Sequence, residues 1–252
     1  MLLEARGIYK RFDGTEVLKD AWIEAEEGHI AGLIGPNGAG KSTLLAVMSK
    51  FLEPEGGKIL LAGRDITRDK PHEIAHRHMV RTFQVPREFG RLTVLENLLV
   101  APKGQIGESV FSTWLRWRKV RDQEHRLVEQ AEDIISFLNL EAVRNLEARN
   151  LSGGQKKLLE LGRALMLEPR LLLLDEPFAG VNPIMIDQII ERLFTLRHRG
   201  LALIVVEHKM YTIKTLCDTV FVMVDGRILT HGRPEVVFED PQVLEAYLGK
   251  DE

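Results

Sequence analysis

The sequence predicts an α/β fold in which helices pack on a mostly parallel sheet, and two observations support this prediction. Short, continuously apolar runs such as Leu171–Leu174, Leu201–Val206 and Val220–Val224 are typical of strands that are buried on both faces, as in a parallel sheet. Helical patterns separate these runs, and strands that alternate with helices favour a doubly wound core. The earliest run is His29–Ile34, which a glycine-rich loop connects to a helical pattern between Lys41 and Phe51.

Strand-like segments of a different style occur near both ends of the chain. Turn residues divide them, Asp13-Gly14 in the first pair and Asp225-Gly226 in the last. An Asp-Gly pair between apolar runs is a strong signal for a hairpin. We therefore predict antiparallel strands attached to the core at Leu2–Ile8, Val17–Ala25, Lys58–Ala62, Phe221–Val224 and Arg227–Leu229.

The middle of the chain, from about Val94 to Asn150, contains no good strand run and has a helical pattern throughout, with Val110–Leu140 as its longest candidate helix. This stretch interrupts the alternation of strands and helices, so we predict an inserted helical subdomain. The chain is therefore expected to form one domain, residues 1–252, in which 1–84 and 156–252 form a core with its β subdomain and about 85–155 form the helical subdomain.

Composition and charge exclude several classes of protein. The formal net charge is −3, which gives no case for nucleic-acid binding, and the 44% hydrophobic content is ordinary for a globular protein. The single cysteine, Cys217, cannot form an internal disulfide and suits a reducing cytoplasm, and we expect it to be a small buried residue. The first residues lack the apolar segment of a signal peptide, and no apolar run is long enough to span a bilayer. Any role at a membrane is therefore expected to come through partners.

The segment Gly35–Ser42, here called the phosphate loop, fits the pattern G-x-x-x-x-G-K-[ST] between a predicted strand and a predicted helix. Its glycines let backbone N–H groups turn toward phosphates, and the start of the helix adds partial positive charge. We expect Lys41 to contact the terminal phosphates and the Ser42 hydroxyl to bind Mg²⁺. The residues expected to bind the nucleotide in this region are Gly35, Pro36, Asn37, Gly38, Ala39, Gly40, Lys41, Ser42 and Thr43.

Two acidic residues supply the second half of a nucleotide site. The run Leu171–Leu174 delivers Asp175 to the carboxyl edge of the sheet, where it can hold Mg²⁺ through water or Ser42. Glu176 is then placed to polarise an attacking water. The alternative is that both acids only cap the end of a strand. The phosphate loop and the acidic strand end together predict a P-loop NTPase core of the RecA-like type, which serves nucleoside triphosphatases and kinases alike.

The segment Leu151–Gln155, here called the signature loop, distinguishes between P-loop families. Ser152 is a good N-cap, and two glycines expose N–H groups at the start of a helix, which predicts a second anion site. The segment resembles the signature sequence of ABC transporter ATPases without a mismatch, and the resemblance extends over essentially the whole chain. In that family the signature of one subunit, here Ser152, Gly153, Gly154 and Gln155, closes on the ATP that the phosphate loop of the other subunit holds.

Other landmarks of the family occur in order along the chain. Gln84 matches the Q-loop glutamine, which contacts Mg²⁺ or water and senses the permease, and His208 matches the switch histidine that contacts the γ-phosphate. Phe12 stands where the family places an aromatic residue that stacks on adenine, although Tyr is commoner there, and Tyr9 is the lesser candidate. The resemblance thus implies ATP and Mg²⁺ as cofactors, with catalytic roles for Lys41, Gln84, Glu176 and His208 and with Ser42, Gln84 and Asp175 as metal ligands.

One departure from the family pattern lies in the D-loop, Ala179–Asn182. Most ABC subunits have Asp at the position of Asn182, and Asn keeps the hydrogen bonding but loses the charge. The pair Asn182-Pro183 resembles the branched-chain amino acid importers, as do the long helical insert, the run Arg81-Thr82-Phe83-Gln84 and the tail Ala246–Gly249. The chain is therefore similar to the larger, LivG-like ATPase subunit of those import systems.

This resemblance also implies partners and alternatives. The ATPase would work with two transmembrane permease subunits, with a second ABC ATPase subunit in a homo- or heterodimer, and indirectly with a solute-binding protein. It would lie as a peripheral subunit on the cytoplasmic face of the inner (plasma) membrane. Urea, short amides or other small polar solutes are alternative cargoes, and a soluble ABC ATPase of repair, translation or cofactor assembly is an alternative function. A small-molecule P-loop kinase is disfavoured by the signature loop and by His208.

Three further features have structural rather than functional interpretations. Trp114–Arg126 combines basic residues with tryptophans, and a solvated basic helix face is favoured over contact with anionic lipid. His72, His76 and His78 lie close in sequence, the first two spaced as neighbours on a helix, but with no cysteine nearby a surface helix is favoured over a metal site. Pro234–Glu239 and Pro241–Leu248 are predicted to be two terminal helices that serve packing.

Overall fold

The structure is a computed structural model that describes residues 1–82, 88–102 and 117–248. The chain forms two compact units. The first comprises Met1–Gln84, Pro169–Ala179 and Leu193–Glu252, and the second comprises Val85–Glu168 and Gly180–Arg192. The segment 85–155, expected to be a helical subdomain, lies within the second unit, which continues to Glu168 and also includes residues 180–192.

Six strands of the first unit form one sheet, and every neighbouring pair but one is parallel. In sheet order they are β10 (Arg227–Gly232), β9 (Thr219–Val224), β3 (Ile30–Ile34), β8 (Ala202–Val206), β7 (Leu171–Asp175) and β6 (Met79–Arg81). Every residue of β3, β7 and β8 is buried, which explains why their sequences are continuously apolar rather than alternating. Leu33 and Asp175 both pair with Val206, so these three strands end at the same edge of the sheet.

A second, four-stranded antiparallel sheet in the same unit has the order β2 (Thr15–Ala25), β1 (Leu3–Phe12), β4 (Gly56–Leu61) and β5 (Arg64–Asp65). The predicted antiparallel strands at Leu2–Ile8, Val17–Ala25 and Lys58–Ala62 are confirmed. Buried side chains of this sheet, including Ile8 and Leu18, belong to one apolar cluster with Leu44 and Leu173 from the parallel core. The two sheets therefore stabilise each other through a shared interior.

The helices of the first unit are short. They are α1 (Lys41–Met48), α2 (Pro71–His76), α7 (Met210–Leu216), α8 (Pro234–Val237) and α9 (Pro241–Leu248), and the last two confirm the predicted terminal helices. None of the helices in the described ranges has the length and apolarity needed to cross a bilayer.

The second unit is helical. Its helices are α3 (Val94–Leu99), α4 (Trp117–Phe137), α5 (Gly153–Leu165) and the first part of α6 (Pro183–His198). A Cβ atom added to Gly162 would lie 3.0 Å from both Leu98 Cδ2 and Leu138 Cδ1, so the glycine lets α5 approach its neighbours closely. Asn97, fully buried, donates to the Phe89 carbonyl at 3.1 Å and accepts from the Phe89 N–H at 2.9 Å, which fixes the chain entering α3.

Some predicted boundaries and pairings differ from the structure. The helix expected to reach Phe51 ends at Met48, because Lys50 takes a left-handed φ of 61° that breaks the helical repeat. The strand at Phe221–Val224 is not an attachment to the core: it belongs to the parallel sheet through its pairing with β3, as its apolar run predicts, and it also forms the predicted hairpin with β10. The middle of the chain is not helical throughout: 3₁₀ turns at Glu141–Val143 and Ala148–Asn150 and a β-bridge from Thr93 to Glu147 interrupt it.

Burial and exposure distinguish Cys217 from the two histidines of α2. Cys217 is buried, and its Sγ would lie 2.8 Å from a Cβ added to Gly32, so it fills the space above that glycine as a small core residue. Burial raises the pKa of the Cys217 thiol well above its ordinary value. His72 and His76 are exposed on α2, and in the part of the chain that the structure describes no three potential ligands cluster as a metal site would require. Trp114 lies outside the described residues.

Candidate nucleotide site

The phosphate loop connects the end of β3 to the start of α1. Gly35 and Gly40 have positive φ values of 151° and 104°. A Cβ at Gly35 would lie 2.0 Å from the Met223 carbonyl oxygen, and one at Gly40 would lie 2.9 Å from the Val17 carbonyl oxygen. Only glycine fits either position. Among the residues that the structure describes, no side chain caps α1, so its first N–H groups are available to an anion.

Lys41 fills the phosphate loop with its own ammonium group. Its Nζ donates to the carbonyl oxygens of Gly35 at 2.8 Å and Pro36 at 2.9 Å, and the side chain is buried. Burial lowers the pKa of Lys41, while the nearby carboxylates of Glu176 and Asp175 oppose that shift. The loop therefore holds a partly desolvated cation whose present acceptors are weak compared with phosphate oxygens.

Asp175 lies at the carboxyl end of β7 and is almost completely buried. Its Oδ2 accepts a 2.9 Å hydrogen bond from Arg81 Nη2, and Arg81 Nη1 also donates to Ser49 Oγ at 3.2 Å. The other carboxylate oxygen, Oδ1, is buried and has no hydrogen-bond partner among the described residues. A buried carboxylate oxygen that is left unpaired is costly unless a cation or a donor occupies it.

Glu176 follows β7 in a left-handed conformation with φ of 49°, which is uncommon for a residue with a side chain. Its N–H donates to the Val206 carbonyl at 3.0 Å, and its Oε1 lies 2.9 Å from His208 Nε2. The backbone bond thus ties the carboxylate to the end of β8, immediately before the loop that carries the histidine. The left-handed residue Glu176 therefore has both its backbone and its carboxylate held by the segment 206–208.

Glu207 organises the backbone around this pair and was not singled out by sequence reasoning. Its buried carboxylate accepts hydrogen bonds from the N–H of Phe178 at 3.2 Å and of His208 at 3.0 Å. It therefore joins the segment after Glu176 to the histidine loop. The available signal was an acidic residue directly after the apolar run of β8. Arg81 was also missed as a site residue, although its run Arg81–Gln84 had been noted for resemblance alone.

The signature loop starts α5 with a reciprocal cap. Ser152 Oγ accepts from the Gln155 N–H at 3.3 Å, and Gln155 Oε1 accepts from the Ser152 N–H at 2.9 Å. These two residues therefore satisfy each other. The remaining N–H groups of the first turn belong to Gly153 and Gly154, at the position where a helix offers donors to an anion.

The remaining predicted site residues are the two aromatic candidates for stacking on adenine and Gln84. Phe12 ends β1 beside the hairpin turn and is 42% exposed, with Lys10 Nζ 5.5 Å from its ring centroid. Tyr9 packs on Gly56, where a Cβ would lie 3.3 Å from the tyrosine ring, and its residue exposure is also 42%. Gln84 lies outside the described residues.

The first unit thus brings together a glycine-rich loop between a strand and a helix, a lysine inside that loop, and carboxylates at an adjacent strand end. This arrangement defines a P-loop protein that binds a nucleoside triphosphate. Pro36, Asn37, Gly38, Ala39, Ser42 and Thr43 lie in or directly after the loop.

Comparison with known proteins identifies the family. Residues 18–179 match the family model described as ABC transporter, and residues 227–252 match the model described as branched-chain amino acid ATP-binding cassette transporter. The chain belongs to the ABC transporter family as an ATP-binding, ATP-hydrolysing subunit.

Several curated relatives align over nearly the full length. The chain is 42% identical, over 98% of its length and 95% of the relative, to a probable branched-chain amino acid transport ATP-binding protein LivG of Archaeoglobus fulgidus. It is 38% identical to the corresponding protein of Methanocaldococcus jannaschii, over 99% of this chain and 98% of the relative. It is also 34% identical to the lipopolysaccharide export system ATP-binding protein LptB of Acidithiobacillus ferridurans, over 98% of this chain and 97% of the relative.

Solved structures agree with this assignment. A nucleotide-free ATP-binding cassette from an ABC transporter superposes with a TM-score of 0.87 at 37% identity, covering 99% of both chains. The ADP conformation of an ATP-binding cassette superposes with a TM-score of 0.85 at 36% identity, again over 99% of both chains. The predicted RecA-like core with its β and helical additions is therefore confirmed as the fold of an ABC ATPase.

Proposed function

We propose that this ATPase drives the import of branched-chain or other amino acids as one half of a nucleotide-sandwich dimer. The hydrolytic part is carried by the 2.9 Å contact between His208 Nε2 and Glu176 Oε1, close to the lysine of the phosphate loop. The amino-acid part is supported by the match of residues 227–252 and by relatives named as LivG and BraF. The 34% identity to an export ATPase argues that overall similarity alone does not set the cargo.

ATP binding begins as an exchange at Lys41. The γ- and β-phosphate oxygens replace the carbonyl oxygens of Gly35 and Pro36 as acceptors, because charged acceptors form stronger hydrogen bonds with an ammonium group. The uncapped N-terminus of α1 adds N–H donors and partial positive charge to the same phosphates. The exposed ring of Phe12 offers an apolar surface for adenine.

The residues present fit a Mg²⁺ ion. The unpaired Oδ1 of Asp175 is the kind of hard oxygen that Mg²⁺ prefers, and Ser42 at the start of α1 offers a hydroxyl. Gln84 is the third proposed ligand, by resemblance. When bound, Mg²⁺ supplies charge neutralisation on the β- and γ-phosphates.

Hydrolysis is assigned to Glu176 and His208. The Glu176 carboxylate accepts a hydrogen bond from the attacking water and takes its proton as the oxygen bonds to the γ-phosphorus. The bond between the γ-phosphorus and the β–γ bridging oxygen breaks, and ADP leaves with the electron pair. The His208 imidazole donates to the γ-phosphate oxygens as negative charge shifts in the transition state. Its present partner, Glu176, holds the ring in place before ATP arrives.

The signature loop completes the site of a second subunit. The N–H groups of Gly153 and Gly154 and the hydroxyl of Ser152 would bind the γ-phosphate of ATP held by the partner, so that hydrolysis requires two closed subunits. Reopening would move two transmembrane permease subunits, with Gln84 at the contact. The protein would therefore act at the cytoplasmic face of the membrane, and a solute-binding protein would deliver the cargo.

The test is purification of the tagged chain from gently solubilised membranes of its host, followed by mass spectrometry. We expect two permeases, a second ABC ATPase subunit and a solute-binding protein to co-purify with the tagged chain. The complex is then assayed for ATP turnover with the binding protein loaded with leucine, with urea or with nothing. Stimulation by leucine alone supports the proposal, whereas stimulation by urea or recovery of only soluble partners would overturn the cargo or the transport function respectively.

A further inference from the structure

The second glycine of the signature loop is packed against a residue that follows the D-loop. A Cβ atom added to Gly154 would lie 2.6 Å from Met185 Cγ, 3.3 Å from Met185 Cε and 3.4 Å from Met185 Cβ. Real Cβ atoms essentially never approach within 3.0 Å of another heavy atom, so this backbone position requires glycine while Met185 keeps its place. Gly154 is buried and Met185 is half-buried. The contact therefore lies at the edge of the packed part of the second unit, with Gly154 on its buried side.

Asn182 fixes the backbone from which Met185 extends. Its Oδ1 accepts the Met185 N–H at 2.9 Å, and its carbonyl accepts the Ile186 N–H at 3.0 Å. This is the geometry of a helix N-cap, with Pro183 at the first helical position. The residue that departs from the usual Asp of the family therefore caps α6, a role that needs an oxygen acceptor and no charge.

A second contact joins the preceding residue of the signature loop, Gly153, to the D-loop residue Gly180. A Cβ added to Gly153 would meet the Gly180 carbonyl oxygen at 3.6 Å, which is ordinary van der Waals distance. The D-loop and the first turn of α6 thus follow the signature backbone over two consecutive glycines. Both glycines carry the N–H groups proposed to bind the partner's ATP.

We propose that Met185 is a positioning residue for the signature loop, held by the Asn182 cap, so that the D-loop and the signature loop of one subunit move as one piece. This inference rests on the proposed function of the signature loop and deepens it. A change at the D-loop would then shift the Gly153 and Gly154 N–H groups directly. Communication between the two ATP sites would pass through packing inside a subunit as well as across the dimer.

The packing is tested first without nucleotide, by a thermal unfolding cycle on the full chain. Gly154→Ala overpacks the contact and should lower Tm by about 2–8 °C. Met185→Ala removes the side chain that the new methyl group would meet. The double variant should therefore lose clearly less than the sum of the two single losses, because the added methyl group occupies the space that Met185 leaves. Additive losses would overturn the contact.

The functional role is tested in the transporter complex purified from the host. Met185→Ala should lower kcat by about 10- to 100-fold, since small misplacements of binding groups cost that much. Binding of a fluorescent ATP analogue to the isolated chain should stay within about twofold, because the phosphate loop is untouched. Met185→Leu, which conserves volume, should restore most of the turnover. Asn182→Asp keeps the cap and should behave like the wild type, whereas Asn182→Ala should resemble Met185→Ala.

Ile184→Ala provides the matched control. Ile184 precedes Met185 and is 76% exposed, so Ile184→Ala truncates a side chain in the same turn without changing the contact with Gly154. Turnover of Met185→Ala equal to that of Ile184→Ala would overturn the inference while leaving the ATPase function intact. Equal ATP turnover in the Glu176→Gln complex and in the wild-type complex would instead contradict the proposed function itself. The two failures are therefore distinguishable.

Discussion

The Arg81 guanidinium donates a 2.9 Å hydrogen bond to the Asp175 carboxylate across the parallel strands β6 and β7, and both side chains are at least 90% buried. The pair is costly to desolvate, and its value lies in each charge neutralising the other. Removing one partner leaves the other charge buried without its hydrogen-bonded counter-ion. This contact sets the first prediction.

Arg81→Met is expected to destabilise the protein by about 3–5 kcal/mol, because it strands the Asp175 carboxylate in the interior. The measurement is urea unfolding of the nucleotide-free chain at neutral pH. Arg170→Met is the matched control, since Arg170 pairs with Glu27 on the surface with both side chains more than half exposed. That pair is worth about 0–1 kcal/mol. Equal losses of unfolding free energy in the two variants would show that the buried pair contributes no more to stability than the exposed pair.

Glu176→Gln is expected to lower ATP turnover by about 10²–10³-fold, or roughly 3–4 kcal/mol of activation free energy. The amide keeps the shape but cannot take the proton of the attacking water. ATP affinity should be retained, and the closed dimer should accumulate. Turnover is measured by phosphate release and affinity by titration with a fluorescent ATP analogue. Near-normal turnover would count against Glu176 as the base.

The backbone of Glu176 offers a prediction that is independent of chemistry. Its φ of 49° is a conformation that glycine adopts freely and alanine does not. Glu176→Gly should therefore be more stable than Glu176→Ala by about 1 kcal/mol. That order is the reverse of the usual one in regular structure, where glycine is the less stable residue. Urea unfolding measures the free energy of unfolding of both variants, and a more stable alanine variant would contradict a strained backbone.

Lys41 makes ATP binding depend on pH in the alkaline range. Burial lowers the pKa of Lys41 below its ordinary 10.5 in the empty protein, and bound phosphates should raise it. Between these two pKa values the empty protein holds fewer protons than the complex, so ATP binding takes up protons and weakens as pH rises. Calorimetry in buffers of different ionisation enthalpy should show that ATP binding takes up more protons at pH 9 than at pH 7.

The control for this prediction is Lys41→Arg, whose guanidinium stays protonated throughout. It should bind ATP with no extra uptake at pH 9, even if its affinity is lower. The same linkage acts on stability: a lowered pKa means that the unfolded chain binds more protons between the two pKa values. The Lys41 contribution to the stability of the empty protein should therefore increase as pH rises toward 10.5. If proton uptake on ATP binding were equal in the arginine variant and the wild type, a group other than Lys41 would be responsible for it.

The elements that sequence reasoning predicted well are those with strong local signals. The apolar run ending at Asp175 and the glycines of the phosphate loop each determine their own backbone, and the structure places them as expected. The run Val220–Val224 predicts a buried strand of a parallel sheet and the turn after it predicts an antiparallel hairpin, and β9 is both, since it pairs in parallel with β3 and antiparallel with β10. Arg81 and Met185 were missed. Each acts through a partner about 94 or 31 residues away in sequence, and no spacing rule links them.

Cys217 has a practical consequence. The chain has a single cysteine, and that thiol is buried over Gly32 with its pKa raised, so thiol reagents find no thiolate to attack on the native surface. The natural sequence therefore behaves as a cysteine-free background for site-directed labelling. A cysteine introduced at Tyr211, which is 75% exposed, would carry a spin label or a fluorophore without any need to remove Cys217. Motions of this subunit within an assembled transporter can be followed by spectroscopy on an otherwise unaltered chain.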